Sequence, residues 1–138
     1  MKVVLSGLDA AAWSLVALQV VLERAGHEVW NVGPRAPVDS VLRTCRWERP
    51  GCLVLSTAVG APGVDVLRRV RGDPALAGVA VVIGGRLSGT REGLLELGFD
   101  EVFPAGDDPA GAVAALRAYL VLGAGQPASG VRNPEARL

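Results

Sequence analysis

Histidine is nearly absent from this chain of 138 residues, since His27 is the only one. A Ser–His–Asp triad and most zinc sites need an imidazole next to their other members. His27 directly follows Gly26, which is expected to end a helix, and it begins an apolar segment. We therefore expect it at the amino ends of the strands, away from the edge where such sheets bind ligands. The sequence predicts no catalytic triad and no metal site.

Cysteine, net charge and long apolar runs are also scarce. Cys45 and Cys52 lack the spacing of a metal site and are expected to be reduced core thiols of a cytoplasmic protein. Fourteen basic residues balance fourteen acidic ones, which argues against nucleic acid or a membrane surface as a partner. No apolar run reaches the roughly 18 residues that span a bilayer. The first ten residues, MKVVLSGLDA, are interpreted as a strand rather than a signal peptide.

Apolar segments of two kinds alternate along the chain. Continuous runs such as KVVLS and VAVVI are typical of parallel strands buried on both faces, and between them apolar residues recur with a helical period. Five such units predict an α/β fold, a flavodoxin-like (Rossmann-like) parallel sheet of order 2-1-3-4-5 with helices on both faces. The predicted strands are Lys2–Ser6, His27–Val32, Cys52–Ser56, Val79–Ile83 and Asp100–Phe103, and the predicted helices are Ala11–Ala25, Val38–Trp47, Val64–Arg71, Thr90–Leu97 and Asp108–Leu122. Residues 1–122 then form one domain, and the polar residues 123–138 are predicted to be a flexible tail.

The loops after the five strands form the expected ligand site, because sheets of this kind bind ligands beyond their carboxyl ends. These loops are small and rich in glycine, which either serves tight turns or lets a large ligand approach the backbone. The third strand ends at Ser56 and the fifth at Phe103, where a phosphate-accepting receiver domain needs an acidic residue and a lysine. The first loop has only Gly7, so it lacks a dinucleotide-binding fingerprint.

In these loops the chain resembles the cobalamin-binding domain family, in particular the small (sigma) subunit of glutamate (methylaspartate) mutase. The family carries D-x-H-x-x-G in the first loop, S-x-L in the third and G-G in the fourth. Asp9 matches the aspartate and Ser56 the serine. The remaining matches to the family pattern are Asn31, Gly33, Gly84, Gly85 and Gly106. The resemblance covers residues 2–122 and implies that the serine and the glycines line the slot for the nucleotide tail of cobalamin.

The departures from the family fall on its chemically central positions. The family histidine, which the resemblance assigns as the lower ligand of cobalt, falls on Ala11, the family glycine on Ser14 and the family leucine on Ala58. Ala11 has no lone pair to offer a metal, so Asp9 either keeps a role in the site or caps the first helix. Trp13 either lies against the corrin, plugs an empty slot or packs in the core. The candidate cofactor-binding residues are Asp9, Ala11, Trp13, Ser14, Ser56, Thr57, Ala58, Gly84, Gly85 and Gly106.

The resemblance implies a subunit of an isomerase, an adenosylcobalamin-dependent mutase, that holds cobalamin without a protein histidine. Such a subunit is not catalytic alone, and the expected partner is a larger catalytic barrel subunit, with a homodimer as a second expectation. Two alternatives stay open. One is a non-enzymatic module that has lost cobalamin and binds a partner protein or another small molecule, and the other is a cobalamin carrier or sensor.

Overall fold

The computed structural model describes residues 1–10 and 12–122, and of residues 12–14 it describes only the backbone. Five parallel strands form one sheet of order β2-β1-β3-β4-β5, which confirms the predicted flavodoxin-like topology. The strands are β1 (Lys2–Gly7), β2 (Glu28–Gly33), β3 (Cys52–Thr57), β4 (Ala80–Gly85) and β5 (Glu101–Pro104). The helices are α1 (Ala12–Arg24), α2 (Val38–Glu48), α3 (Val64–Arg71), α4 (Arg91–Leu97) and α5 (Pro109–Val121), with one 3-10 turn at Pro74–Leu76. The predicted tail, residues 123–138, lies outside the described residues.

Helices cover both faces of the sheet, because successive side chains of a strand point to opposite sides. On one face the strand residues pack against α1 and α5 through a cluster that contains Val3, Leu5, Leu15, Leu22, Val54, Val82, Phe103, Leu116 and Leu120. On the other face α2, α3 and α4 pack through a cluster that contains Val4, Val41, Leu42, Leu53, Val66, Leu67, Val70, Val81 and Leu94. The residues that α1 and α5 contribute to their cluster recur with the helical period that the sequence indicates.

The strands extend further toward their carboxyl ends than the sequence predicts. Gly84 and Gly85 were expected in a loop, but they are the last residues of β4 and pair with Ser56 and Thr57 of β3. Hydrogen bonds between strands need only backbone N–H and C=O groups. The two glycines therefore continue β4, because they lie between β3 and β5 and pair with residues of both. The edge where β3 and β4 end is therefore built from paired backbone rather than from free loops.

The other end of the sheet holds the single histidine. Residue pairing places Lys2 opposite Glu28 at the start of β1 and β2, so His27 lies at the amino ends of the strands, as predicted. Its Nδ1 atom is 3.2 Å from the amino group of Met1. Burial, together with the charge of that amino group, lowers the pKa of His27. This imidazole is at the opposite edge from the loops that carry the candidate site.

Both cysteines are buried thiols, and their reactivity is predictable. Cys45 and Cys52 are fully buried and unpaired. Burial raises the pKa of Cys45 to about 12 and raises that of Cys52 as well, and only the thiolate is a good nucleophile. We expect iodoacetamide at pH 8 to leave both unlabelled in the folded protein and to label both in urea, as measured by mass spectrometry. Rapid labelling of the folded protein would show that the described core opens.

None of the described helices is long and apolar enough to cross a membrane. In the same part of the chain, no three histidine, cysteine, aspartate or glutamate side chains come together in a way that could hold a metal ion.

Candidate functional site

A groove with a volume of about 390 Å³ lies between α1 and α5 at the carboxyl half of the sheet. Its floor consists of Val54 and Ser56 of β3, Gly84 of β4 and Phe103 of β5. The walls are Ala17, Leu18 and Val21 of α1 and Pro109, Ala110, Ala112, Val113 and Leu116 of α5. Volumes of this size, about 300–1,000 Å³, are typical of sites for small molecules and cofactors.

The groove exists because small residues stand in one row across the sheet. Residue pairing aligns the small residues Gly7, Ser56 and Gly84 on β1, β3 and β4, and the larger Phe103 follows in the same row on β5. Strand alternation places Ser56 on the same face as Val54, which packs in the cluster under α1 and α5. Larger side chains in this row would fill the space between the helices and the sheet.

The groove has few polar groups. Among the residues that the structure describes, its lining side chains are apolar apart from Ser56, Thr57 and Arg86. Arg86 is exposed, and it forms no ion pair with the part of the chain that the structure describes. Within that same part, Ser56 Oγ has no hydrogen-bond partner. In the described residues, the groove therefore offers two polar groups for a ligand. They are the hydroxyl of Ser56, which lies on an apolar floor, and the guanidinium of Arg86 beside it.

The carboxylate of Asp9 fastens the first loop to the third. Its Oδ2 atom accepts hydrogen bonds from Thr57 Oγ1 at 2.6 Å, from the backbone N–H of Ala58 at 2.8 Å and from that of Val59 at 3.3 Å. Thr57 Oγ1 in turn accepts from the N–H of Ala61 at 2.8 Å. Hydrogen bonds to an ionised group are roughly twice as strong as neutral ones. Asp9 therefore fixes the conformation of the loop that follows β3.

Gly85 allows β4 to approach β3 closely at this edge. Its φ is +111°, and a Cβ atom there would lie 2.0 Å from the carbonyl oxygen of Thr57. The N–H of Arg86 donates to that same oxygen at 3.0 Å. The hydroxyl of Ser88 donates to the carbonyl of Gly60 and connects the two loops a second time. A side chain at position 85 would break this contact.

A family model described as the B12 binding domain matches residues 3–114, which is most of the chain. The chain belongs to the B12-binding domain family. A comparison with curated proteins gave no match.

Solved structures share the fold of this B12-binding domain. It is similar to a cobalamin-binding protein from Desulfitobacterium hafniense DCB-2, with 20% identity, a TM-score of 0.64 and coverage of 84% of this chain but only 58% of that one. It is also similar to a response regulator from Desulfuromonas acetoxidans (13% identity, TM-score 0.67, coverage 88% and 97%). A LuxR-family response regulator from Aurantimonas sp. SI85-9A1 has 20% identity, a TM-score of 0.65 and coverage of 99% and 96%. At these identities the likeness shows the fold alone.

The structure brings together most of the candidate residues that it describes. Those that line the groove of the B12-binding domain are Ser56, Thr57, Ala58, Gly84 and Gly85. Asp9 contacts this group through Thr57 and Ala58. Gly106 follows Ala105, which lines the groove, but is not itself part of the lining.

The remaining candidates fall on residues that the structure does not describe in full. Ala11 lies outside the described residues, and the predicted cap of α1 by Asp9, through the N–H of Ala11 or Ala12, stays a prediction. The side chains of Trp13 and Ser14 are also outside the described part, although their backbone belongs to α1. The alternatives for Trp13 therefore stay predictions.

Sequence reasoning missed the walls of the groove, because it looked for the site only in the loops. The helices α1 and α5 supply eight of the eighteen described lining residues, and both have unusually few charges. No charged residue precedes Glu23 in α1, and Arg117 is the only charged residue in α5. A helix on the surface of an α/β domain normally has a charged outer face. Both α1 and α5 lack such a charged outer face, and they flank the same end of the sheet. This shared lack of charge is the sequence signal that indicates an apolar groove.

Proposed function

We propose that this B12-binding domain holds cobalamin by its nucleotide tail, in the groove between α1 and α5, without a protein ligand to cobalt. One observation carries the proposal. Three residues that match the family pattern for the tail slot, Ser56, Gly84 and Gly85, line a single groove of suitable volume.

The chemistry of the groove fits the parts of that tail. The tail has a flat, largely apolar base, a ribose and a phosphodiester with one negative charge. Apolar side chains such as Leu18, Val113 and Leu116 would cover the base, and burial of apolar surface contributes about 25 cal/mol per Å². The free hydroxyl of Ser56 would donate to the ring nitrogen of the base, and Arg86 would face the phosphodiester.

The residues do not fit a lower ligand to cobalt. Position 11, where the family has its histidine, holds alanine, and His27 is at the opposite edge of the sheet. The carboxylate that orients the histidine in the family is engaged here with Thr57 and the loop after β3. When bound, adenosylcobalamin supplies radical chemistry through its weak Co–C bond. The residues of this chain would bind and orient the cofactor and leave the lower face of cobalt without a protein nitrogen.

We further propose that the chain is a cobalamin-binding subunit that works with a separate catalytic barrel subunit in the cytoplasm, as in glutamate mutase. Arg86 is the only ionisable side chain among the described lining residues, so the groove provides no general acid or base. The groups that act on a substrate would have to come from a partner. A cobalamin carrier or sensor is the second candidate function, because such a protein has to bind the cofactor but needs no catalytic barrel subunit.

The place of binding is tested by filling the groove from its helical wall. Ala17 and Val16 are adjacent exposed residues of α1, but only Ala17 lines the groove. We expect Ala17→Trp to weaken the binding of hydroxocobalamin at least about tenfold, because the indole occupies space that the tail needs. Val16→Trp is the matched control and should bind like the unmodified chain. Binding is measured by absorbance titration, and an unchanged affinity in Ala17→Trp would place the cofactor elsewhere.

A further inference from the structure

A tryptophan side chain is exposed near the carboxyl end of α2. Trp47 is 84% exposed, more than any other large apolar side chain that the structure describes. Helix α2 ends shortly before β3 begins at Cys52, so Trp47 lies at the amino ends of the strands, opposite the groove. An aromatic surface of this size contributes strongly to binding when a partner covers it.

The ion pairs around Trp47 expose their cations more than their acids. Arg46 pairs with Asp73, and the two side chains are 53% and 14% exposed. Lys2 pairs with Glu48, and these two are 43% and 16% exposed. Because the acids are mostly covered, this part of the surface presents positive charge, although the chain as a whole has no net charge.

Two further arginines lie at this end of α2. Arg43 is one helical turn before Trp47, on the same side of the helix, and Arg49 is the residue at which the helix ends. Both are exposed, and neither forms an ion pair with a described residue. Asp39, the acid one turn before Arg43, pairs with Arg69 instead. Arg49 has a φ of +51°, at a position where helices usually have glycine, so a cationic side chain stands there in spite of the backbone strain.

A cavity with a volume of about 450 Å³ lies beside these arginines. Its described lining consists of Arg46, Arg49, Pro50, Ala75, Gly78 and Val79. Two of these residues are cationic and none is acidic, so the cavity suits a carboxylate side chain. We call the exposed side chains of Arg43, Arg46, Trp47 and Arg49, together with this cavity, the Trp47 surface.

We infer that the Trp47 surface binds an acidic peptide segment of a partner protein, in which an apolar side chain stands among aspartates and glutamates. The apolar side chain would cover the indole, and the carboxylates would pair with the guanidinium groups. Tryptophan and arginine are the residues that most often dominate the binding energy of an interface. The inference does not depend on the proposed function, because the surface and the groove lie at opposite edges of the sheet.

A nucleic acid or an anionic membrane fits this surface less well. Arg46 is already paired with Asp73, so Arg43 and Arg49 are the cations of the Trp47 surface without an ion pair to a described residue. Polybasic segments that bind membranes have about four to eight cations, and proteins that bind DNA make about six to ten contacts to phosphates. Two arginines beside an indole match the few carboxylates of a short peptide.

Selection from a library of random peptides displayed on phage tests the inference without a choice of partner in advance. The full chain is the bait, and we expect the selected peptides to be richer in aspartate and glutamate than the library, with an apolar residue among the acids. Selection of basic or uncharged peptides, or of none, would overturn the inference and leave the proposed function intact. The most frequently selected sequence is then synthesised with a fluorescent label, and its affinity is measured by anisotropy.

Two variants locate the bound peptide. Trp47→Ala should weaken its binding at least about tenfold, and Arg43→Glu at least about fivefold, because the charge is reversed. Val121→Ala and Arg117→Glu are the matched controls, since both residues are exposed on α5, on the other face of the sheet. The controls should bind the peptide like the unmodified chain. An unchanged affinity in either Trp47→Ala or Arg43→Glu would overturn the inference.

The other occupants are tested with the same protein. Phosphatidylserine vesicles and a short DNA duplex should not bind at about 0.15 M salt, where charges are screened beyond about 8 Å. Binding of either that is lost in Trp47→Ala would identify a different class of partner and contradict the inference. The labelled peptide should bind equally well with and without hydroxocobalamin. Competition between the two would place the peptide in the groove and overturn the inference.

Discussion

Replacement of Gly85 by alanine is expected to lower the free energy of unfolding by about 4 kcal/mol or more, a loss in the range that single substitutions rarely reach. The new Cβ atom would lie 2.0 Å from the carbonyl oxygen of Thr57. That oxygen belongs to the backbone of β3, the middle strand of the sheet, and it also accepts from the N–H of Arg86. Relief of the clash would have to separate β3 from β4 where both line the groove.

Gly89→Ala is the matched control for the backbone conformation. Gly89 has a φ of +96°, close to the +111° of Gly85, but no atom lies within 4 Å of the position that its Cβ would take. Its substitution should cost only the conformational strain, about 1–3 kcal/mol. Urea unfolding of both variants separates strain from collision. Equal losses in the two would show that the close approach of β4 to Thr57 is easily relieved, and that Gly85 does not hold this edge together.

Replacement of Asp9 by alanine is expected to lower the free energy of unfolding by about 2–3 kcal/mol. The substitution leaves the hydroxyl of Thr57 and the N–H groups of Ala58 and Val59 without their acceptor. It should also weaken cobalamin binding, because Thr57 and Ala58 line the groove. Asp107→Ala, at an exposed loop acid, is the control and should change stability by less than about 0.5 kcal/mol.

A double-mutant cycle shows whether Asp9 acts through the third loop. Thr57→Val removes the hydroxyl that donates to Asp9 at 2.6 Å. If the contact carries the effect, the two substitutions should couple by about 1–3 kcal/mol in urea unfolding. Additive losses would show that the Thr57 hydroxyl does not carry the effect, and would leave it to the N–H groups of Ala58 and Val59 or to the cap that the sequence predicts for α1.

The fold was predictable because its signals are repeated along the chain. Buried runs such as that of β3 and the inward stripe of α1, which includes Leu15 and Leu22, fix the alternation of strands and helices. The rules for parallel connections then leave few strand orders. The ends of the strands were less predictable, because Gly84 and Gly85 have no side chains whose pattern could indicate a strand.

The candidate site was predictable only where a residue pattern carries it. The match to the family pattern indicated Ser56 and the glycine pair. The contact between Asp9 and Thr57 joins residues 48 positions apart, and no local pattern links such a pair. The apolar walls of the groove come from the way α1 and α5 pack on the sheet, so they emerge only in the folded chain.

The central claim is that the chain binds cobalamin through the nucleotide tail of the cofactor, and that cobalt has no nitrogen ligand from the protein or from the tail base. The most direct test is the electron paramagnetic resonance spectrum of cob(II)alamin bound to the full chain. The proposal predicts a spectrum without nitrogen superhyperfine splitting, because the tail base would lie in the groove beside Ser56 and position 11 holds alanine. A resolved splitting from one axial nitrogen would contradict the claim, because the tail base or His27 would then be bound to cobalt.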